Sequence, residues 1–136
     1  MSADARIGFP EIHLGAVPGS GGLSRLPRLI GVSRAMGLLL DGSPIAASRA
    51  LEIGLVNEVV QDSPIETAIA RAKEWASRAS IAARAIKQGL LQVSRATIAM
   101  EVKGSLDVSR AIFATSDMRE GVTAFLRKRN PHFSGS

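Results

Sequence analysis

The chain has 136 residues, a formal net charge of +5 and no cysteine, and 46% of its residues are hydrophobic. This length fits one domain that can bury a core, and the hydrophobic fraction excludes a disordered polymer. The lack of cysteine excludes disulfides, thiol nucleophiles and zinc–thiolate sites. Because the sequence shows neither a signal-peptide pattern nor a run of roughly 18 apolar residues, we expect a cytoplasmic protein that makes no membrane contact.

The basic balance, with a sequence pI of about 10.7, raises the question of nucleic-acid binding. The basic residues are spread along the chain except at residues 127–129, and the chain has no tyrosine and a single tryptophan. A platform on which bases could stack is therefore missing. We expect no nucleic-acid partner, and the charge instead suits a phosphate-bearing small molecule.

The first 62 residues are predicted to combine short strands with short helices. Residues 6–14 are predicted to form a short strand that enters a loop, with Glu11 at the strand end. The β-branched run at residues 55–60 predicts a second small strand. Apolar spacing predicts three short helices, the second of them capped by Ser33. Their predicted ranges are 21–30, 34–40 and 46–53.

From residue 63 onward only helices are predicted. Ser63, Pro64 and Glu66 form a start signal, because serine caps a helix, proline suits its first position and glutamate completes a capping box. Asp117 and Glu120 are predicted to cap the last helix in the same way, and that helix runs to about residue 129. Apolar residues at helical spacing predict that the helices each bury one face. The two intervening helices are predicted over residues 81–93 and 98–114.

Two segments near the start carry candidate chemistry. Glu11 lies among apolar neighbours, and a carboxyl group partly shielded from water suits general acid–base catalysis. The turn at residues 18–22 can present backbone N–H groups that bind an anion, a water or a carbonyl oxygen. The alternatives are a surface carboxylate and glycines that only permit a tight turn. His13 and His132 have no nearby ligand partners, so we expect no metal site.

The order of these motifs resembles that of a known family. GFPEI at residues 8–12, with Gly15 and PGSGG at residues 18–22, resembles the second catalytic segment of the enoyl-CoA hydratase/isomerase, or crotonase, superfamily. The further matching blocks are RLPRLIG at 25–31, Ala50 with GLV at 54–56, SDMREGVTAF at 116–125, and Lys128 with Arg129. The resemblance implies an α/β, mostly α fold, the C-terminal part of the crotonase ββα spiral. Residues 1–62 would be a remnant of the spiral core, and residues 63–136 a helical region for oligomerisation and coenzyme A contact.

The resemblance also implies roles for individual residues. Glu11 would exchange a proton with the α-carbon of an acyl-CoA thioester, while another glutamate positions a water. The N–H of Gly19 would help to hold that water. Phe125 and Lys128 would contact coenzyme A, often on a neighbouring subunit. The implied reaction is addition of water to a 2-enoyl-CoA, with no cofactor apart from the coenzyme A of the substrate.

Family members carry a longer segment before these motifs, which supplies both oxyanion-hole N–H groups and the first catalytic glutamate. We therefore expect a truncated chain with negligible activity alone, which works in a homo-oligomer (trimer or hexamer) or with a complementing N-terminal chain. One alternative is an isomerase in which Glu11 alone shuttles the proton. Another is a non-catalytic helical module that binds a full-length homologue. The acyl-chain specificity stays open.

Overall fold

The computed structural model describes residues 1–77 and 80–136, apart from the side chains of residues 80 and 92–105. Helices dominate it, and the strands β1 (Arg6–Ile7) and β2 (Ile45–Ala46) pair antiparallel, with Arg6 opposite Ala46. A 3₁₀ helix (Pro10–Leu14) follows β1. The α-helices are α1 (Gly22–Ile30), α2 (Val32–Asp41), α3 (Ala47–Glu52), α4 (Pro64–Ala76), α5 (Ser80–Phe113) and α6 (Ser116–Leu126).

A small core joins the first three α-helices. Its buried members are Leu26 and Ile30 of α1, Ala35 of α2, and Ile53, which directly follows α3. The ring of Phe9 packs against this cluster from the segment that precedes the 3₁₀ helix. The three short helices predicted near the start are therefore present and share one apolar interior.

Three predictions for the first part of the chain are wrong in detail. Glu11 lies inside the 3₁₀ helix rather than at a strand end, since Pro10 fixes a helical φ at the first position of that helix. The predicted strand at residues 55–60 is reduced to a single bridge between Val60 and Ser2, because the partner segment turns at once: the Ala5 N–H bonds back to the Ser2 carbonyl. Ser33 is not a cap, since α2 begins one residue earlier.

In the second part, the start of α4 is confirmed: the Ser63 side chain accepts a hydrogen bond from the Glu66 N–H. The helices predicted over 81–93 and 98–114 are instead the single 34-residue helix α5. Residues 94–97 contain neither glycine nor proline, so the backbone has no reason to stop there. The cap of α6 is Thr115, whose Oγ1 accepts from the Met118 N–H at 3.1 Å, rather than Asp117, and α6 ends at Leu126.

The apolar faces of α4, α5 and α6 are mostly uncovered. Apolar residues predicted to be buried are exposed in this chain: Ile65, Ala68, Ile69, Ala72, Trp75, Ala76, Ala82, Ala85, Ile86, Leu90, Leu106 and Phe113. The predictions for Ala79, Val93 and Val102 lie outside the described residues. The accessible surface is 9754 Å², whereas a compact monomer of this mass exposes roughly 6,800 Å². The apolar residues do recur at helical spacing, but one copy of the chain does not supply a surface that would bury these apolar faces.

Candidate active site

Glu11 is held on a short, well-anchored 3₁₀ helix. Phe9 before the helix packs into the core, and Gly15 after it adopts a left-handed conformation with φ of +65°. The backbone carbonyl of Glu11 accepts a hydrogen bond from the Ala16 N–H at 3.0 Å. These contacts fix the backbone on both sides of Glu11.

The carboxylate of Glu11 has an unusual environment. Its Oε2 atom has less than 1 Å² of accessible surface and no hydrogen-bond partner among the described residues. A buried polar atom without a partner costs about 1–3 kcal/mol, so native proteins keep very few of them. Such an atom calls for a reason other than stability, and a proton-transfer role is one.

Helix α6 packs directly against the backbone of the 3₁₀ helix. A Cβ at Gly121 of α6 would lie 2.4 Å from the backbone carbonyl oxygen of Leu14. A Cβ at Gly15 would lie 2.9 Å from the backbone carbonyl oxygen of Asp117. The two backbones can approach this closely only because glycine stands at both positions. The segment that carries Glu11 is therefore positioned by a helix more than a hundred residues later in the chain.

The glycine-rich turn lies next to the same segment. A Cβ at Gly22, the first residue of α1, would lie 2.5 Å from Pro18 Cβ and 3.6 Å from the Phe9 ring. Gly19 lies in the turn itself, and its Cβ would meet the hydroxyl of the buried Ser109 at 2.8 Å. Gly22 thus allows α1 to pack closely against Pro18 and Phe9. Ser109 of α5 lies against the turn at Gly19.

Phe125 and Lys128 lie at the C-terminal end of α6. Phe125 is 70% exposed and stands one turn beyond Gly121, on the same side of the helix. Lys128 is exposed, and its φ of +51° is the left-handed region that a residue with a side chain rarely adopts. Both side chains are open to an incoming molecule.

The two acidic residues of α6 bind the segment that follows the helix instead of capping its start. Asp117 accepts hydrogen bonds from the backbone N–H groups of Ser134 and Gly135, which hold its pKa below the usual range. Glu120 pairs with the Arg129 guanidinium, which lowers the pKa of Glu120 to about 2. These bonds fold the tail back along α6.

Two cavities lie along the helices of this chain. An apolar cavity of about 260 Å³ runs along α1 and α2 and is lined by Ile12, the residue after Glu11. A cavity of about 450 Å³ lies beside α4, near Arg71 and Trp75. Neither of these two cavities is lined by any of the four predicted site residues.

Two further observations concern other classes of site. Within the described ranges, no group of three or more His, Asp or Glu side chains could hold a metal ion. Among the same residues, no helix has the length and hydropathy of a membrane span.

Sequence reasoning missed Gly121 and Ser109. A glycine in the middle of a helix costs about 1 kcal/mol relative to alanine, which is itself a signal of close packing. Ser109 gives no such signal, because a small polar residue on a helix is ordinary until its neighbours are known.

The architecture defines the class of protein first. Over 99% of its length the chain matches the structure of a carnitinyl-CoA hydratase from Mycobacterium avium, with a TM-score of 0.86 and 29% sequence identity, and it covers 53% of that chain. The fold is therefore that of the crotonase superfamily, and the predicted fold class, a mostly helical C-terminal portion, is confirmed.

The family follows from the sequence comparison. The family model described as enoyl-CoA hydratase/isomerase matches residues 1–136, and the chain belongs to this family. It is 38% identical over 133 residues to the 2,3-dehydroadipyl-CoA hydratase of Escherichia coli (strain K12), covering 97% of this chain and 52% of that protein. It is 37% identical over 142 residues to the crotonyl-CoA hydratase of Syntrophomonas wolfei, covering 97% and 51%. The chain spans about half the length of the relatives it matches.

Proposed function

We propose that Glu11 is the proton-exchanging group in the hydration of a 2-enoyl-CoA thioester. The water oxygen bonds to the β-carbon of the enoyl group, Glu11 gives a proton to the α-carbon, and the double bond between the two carbons is lost. The proton released by the water goes to a second base. The product is a 3-hydroxyacyl-CoA.

The buried, unpartnered Oε2 of Glu11 is the observation that carries this proposal. A proton donor must keep one oxygen available for the reacting carbon, and a stable hydrogen bond to a neighbour would occupy that oxygen. The anchored 3₁₀ helix supports the same role, because it fixes the direction of the carboxylate. The names of the two hydratase relatives supply the substrate class.

The coenzyme A part of the substrate is proposed to meet the end of α6. Phe125 offers an exposed ring, and Lys128 offers an ammonium group. An ammonium suits the phosphates of coenzyme A, while an aromatic face suits its base. Gly19 is proposed to hold the reacting water through its backbone N–H.

We also propose that the site is completed by a second polypeptide, either another copy of this chain or a complementing chain of the same family. Glu11 lines neither of the two cavities described above, and the exposed surface exceeds that of a compact monomer by about 3,000 Å². Apolar residues on α4 and α5 supply part of that excess. A surface of this size and composition suits an obligate interface.

A chimera tests the catalytic role. The matching segment of the Syntrophomonas wolfei crotonyl-CoA hydratase is replaced by this chain, and hydration of crotonyl-CoA is followed by loss of the enoyl-thioester absorbance. We expect turnover in the chimera and a decrease of about 10²–10⁴-fold in the Glu11→Gln variant. The matched control is Glu52→Gln, which removes an exposed carboxylate paired with Arg49 on α3 and leaves the rate unchanged.

Two results would contradict the proposal at different points. A Glu11→Gln chimera that turns over as fast as its parent would remove Glu11 from the chemistry. Turnover at the rate of the chimera by this chain as a monomer would show that no second polypeptide is needed. Light scattering on the same samples reports whether the chain self-associates.

A further inference from the structure

The turn that ends α6 has a lysine where glycine is the usual residue. The Arg129 N–H bonds to the Ala124 carbonyl at 3.0 Å, and the Lys128 N–H bonds to the Phe125 carbonyl at 3.1 Å. This pair of bonds is the Schellman motif, whose left-handed position favours glycine because it has no Cβ. Lys128 occupies that position with φ of +51°. A strained backbone persists only where the surrounding structure holds it.

Glu120 is the group that holds this turn from outside the backbone. Its Oε1 accepts from Arg129 Nη1 at 2.5 Å and from the His132 N–H at 2.8 Å, while its Oε2 accepts from Arg129 Nη2 at 2.8 Å. The Glu120 carboxylate therefore binds Arg129 and His132, which are one and four residues after Lys128. Because both carboxylate oxygens pair with the guanidinium, the orientation of the Arg129 side chain is fixed more firmly than by a single hydrogen bond.

The pairing of Glu120 with Arg129 makes two residues of the basic triplet 127–129 differ in their ion pairs. Arg129 is neutralised by Glu120, whereas the structure gives the Lys128 side chain no ion pair among the described residues. Lys128 is exposed, and its backbone N–H bonds to the carbonyl of Phe125, whose side chain is exposed as well.

We propose that Glu120 is a positioning residue: through Arg129 and the His132 N–H it holds Lys128 in the left-handed turn and so sets where the ammonium meets the phosphates of an acyl-CoA. This inference rests on the proposed function, since it takes Lys128 as a coenzyme A contact. It adds that the contact depends on a carboxylate that touches no substrate.

The test is a double-mutant cycle on the 136-residue chain. Binding of coenzyme A and of pantetheine, which lacks the nucleotide phosphates, is measured by NMR titration for the parent chain, Glu120→Gln, Lys128→Ala and the double variant. The Cα and Cβ shifts of Lys128 report its backbone conformation. The control Glu52→Gln removes an arginine–carboxylate pair on α3, far along the chain from this turn.

We expect Glu120→Gln to weaken coenzyme A binding by at least about threefold when Lys128 is present, and to have no effect in the Lys128→Ala background. Pantetheine binding stays the same, and the Lys128 shifts move toward those of a flexible chain. Equal weakening in both backgrounds, or unchanged Lys128 shifts, would overturn the positioning role. If the parent chain does not prefer coenzyme A to pantetheine, or Lys128→Ala keeps that preference, the coenzyme A contact itself is wrong.

Discussion

Replacing Gly121 by alanine tests whether α6 holds the segment that carries Glu11. The new Cβ would lie 2.4 Å from the Leu14 carbonyl oxygen, about 1 Å closer than the 3.4 Å at which ordinary contact begins. Neither atom can rotate away, because one is backbone and the other is fixed to it. Helix α6 and the 3₁₀ helix must therefore separate by roughly 1 Å.

The energetic cost follows from two opposing terms. Overpacking of this kind costs about 3 kcal/mol, the upper part of its usual range, because the obstacle is rigid. Alanine regains about 1 kcal/mol of helix propensity over glycine. The expected net loss in unfolding free energy is about 2 kcal/mol, measured by urea denaturation.

Gly37→Ala is the matched control, since Gly37 lies inside α2 with nothing within 4 Å of its added Cβ. It is expected to raise the unfolding free energy by about 0.5–1 kcal/mol. In the chimera, the 1 Å displacement by Gly121→Ala should also lower turnover by about 10²-fold. If Gly121→Ala is as stable as Gly37→Ala, the close contact between α6 and the 3₁₀ helix does not exist in solution.

Three further outcomes are expected. Lys128→Gly should raise the unfolding free energy by about 1 kcal/mol, because glycine relieves the strain of the left-handed conformation. The same change should weaken coenzyme A binding, because it removes the ammonium group. A lower stability in thermal unfolding would argue against the strain. Thr115→Ala should cost about 1 kcal/mol through loss of the cap on α6, whereas Ser33→Ala, which removes no cap, should stay within about 0.5 kcal/mol. The pKa of Glu120 is lowered to about 2 by Arg129, so its stabilisation is complete above the ordinary value of 4.5 and is lost as the pH falls toward 2. Stability should consequently fall less steeply over that window in Glu120→Gln, and an unchanged acid limb would show that the pair is absent.

Local signals in the sequence predicted much of the helical fold. The Ser63–Pro64–Glu66 start, the glycine after α1 and the apolar spacing of α1 to α3 act within a few residues, so they can be recognised without knowing the rest of the chain. The prediction of two helices over residues 81–93 and 98–114 was wrong, since they form the single helix α5. The backbone itself has no breaker between those ranges.

The capping pair predicted at Asp117 and Glu120 failed for a different reason. Both residues have the right type and spacing for a helix start, but their carboxylates are taken by the tail that returns along α6. The sequence pattern predicts that these carboxylates bond to N–H groups at the start of α6. In the structure they bond instead to N–H groups of the tail. Thr115, two residues earlier, supplies the cap instead.

By itself the sequence determined the family, the helical character and the identity of Glu11 as the candidate acid–base residue, because ordered motifs and periodic spacing are properties of the chain. Only the tertiary structure decided that Glu11 keeps a buried oxygen without a partner, that Gly121 brings α6 onto its backbone, and that Glu120 holds the Lys128 turn. These features depend on distances between residues that are not neighbours in the sequence. Such distances are set by packing and burial, which no local pattern specifies.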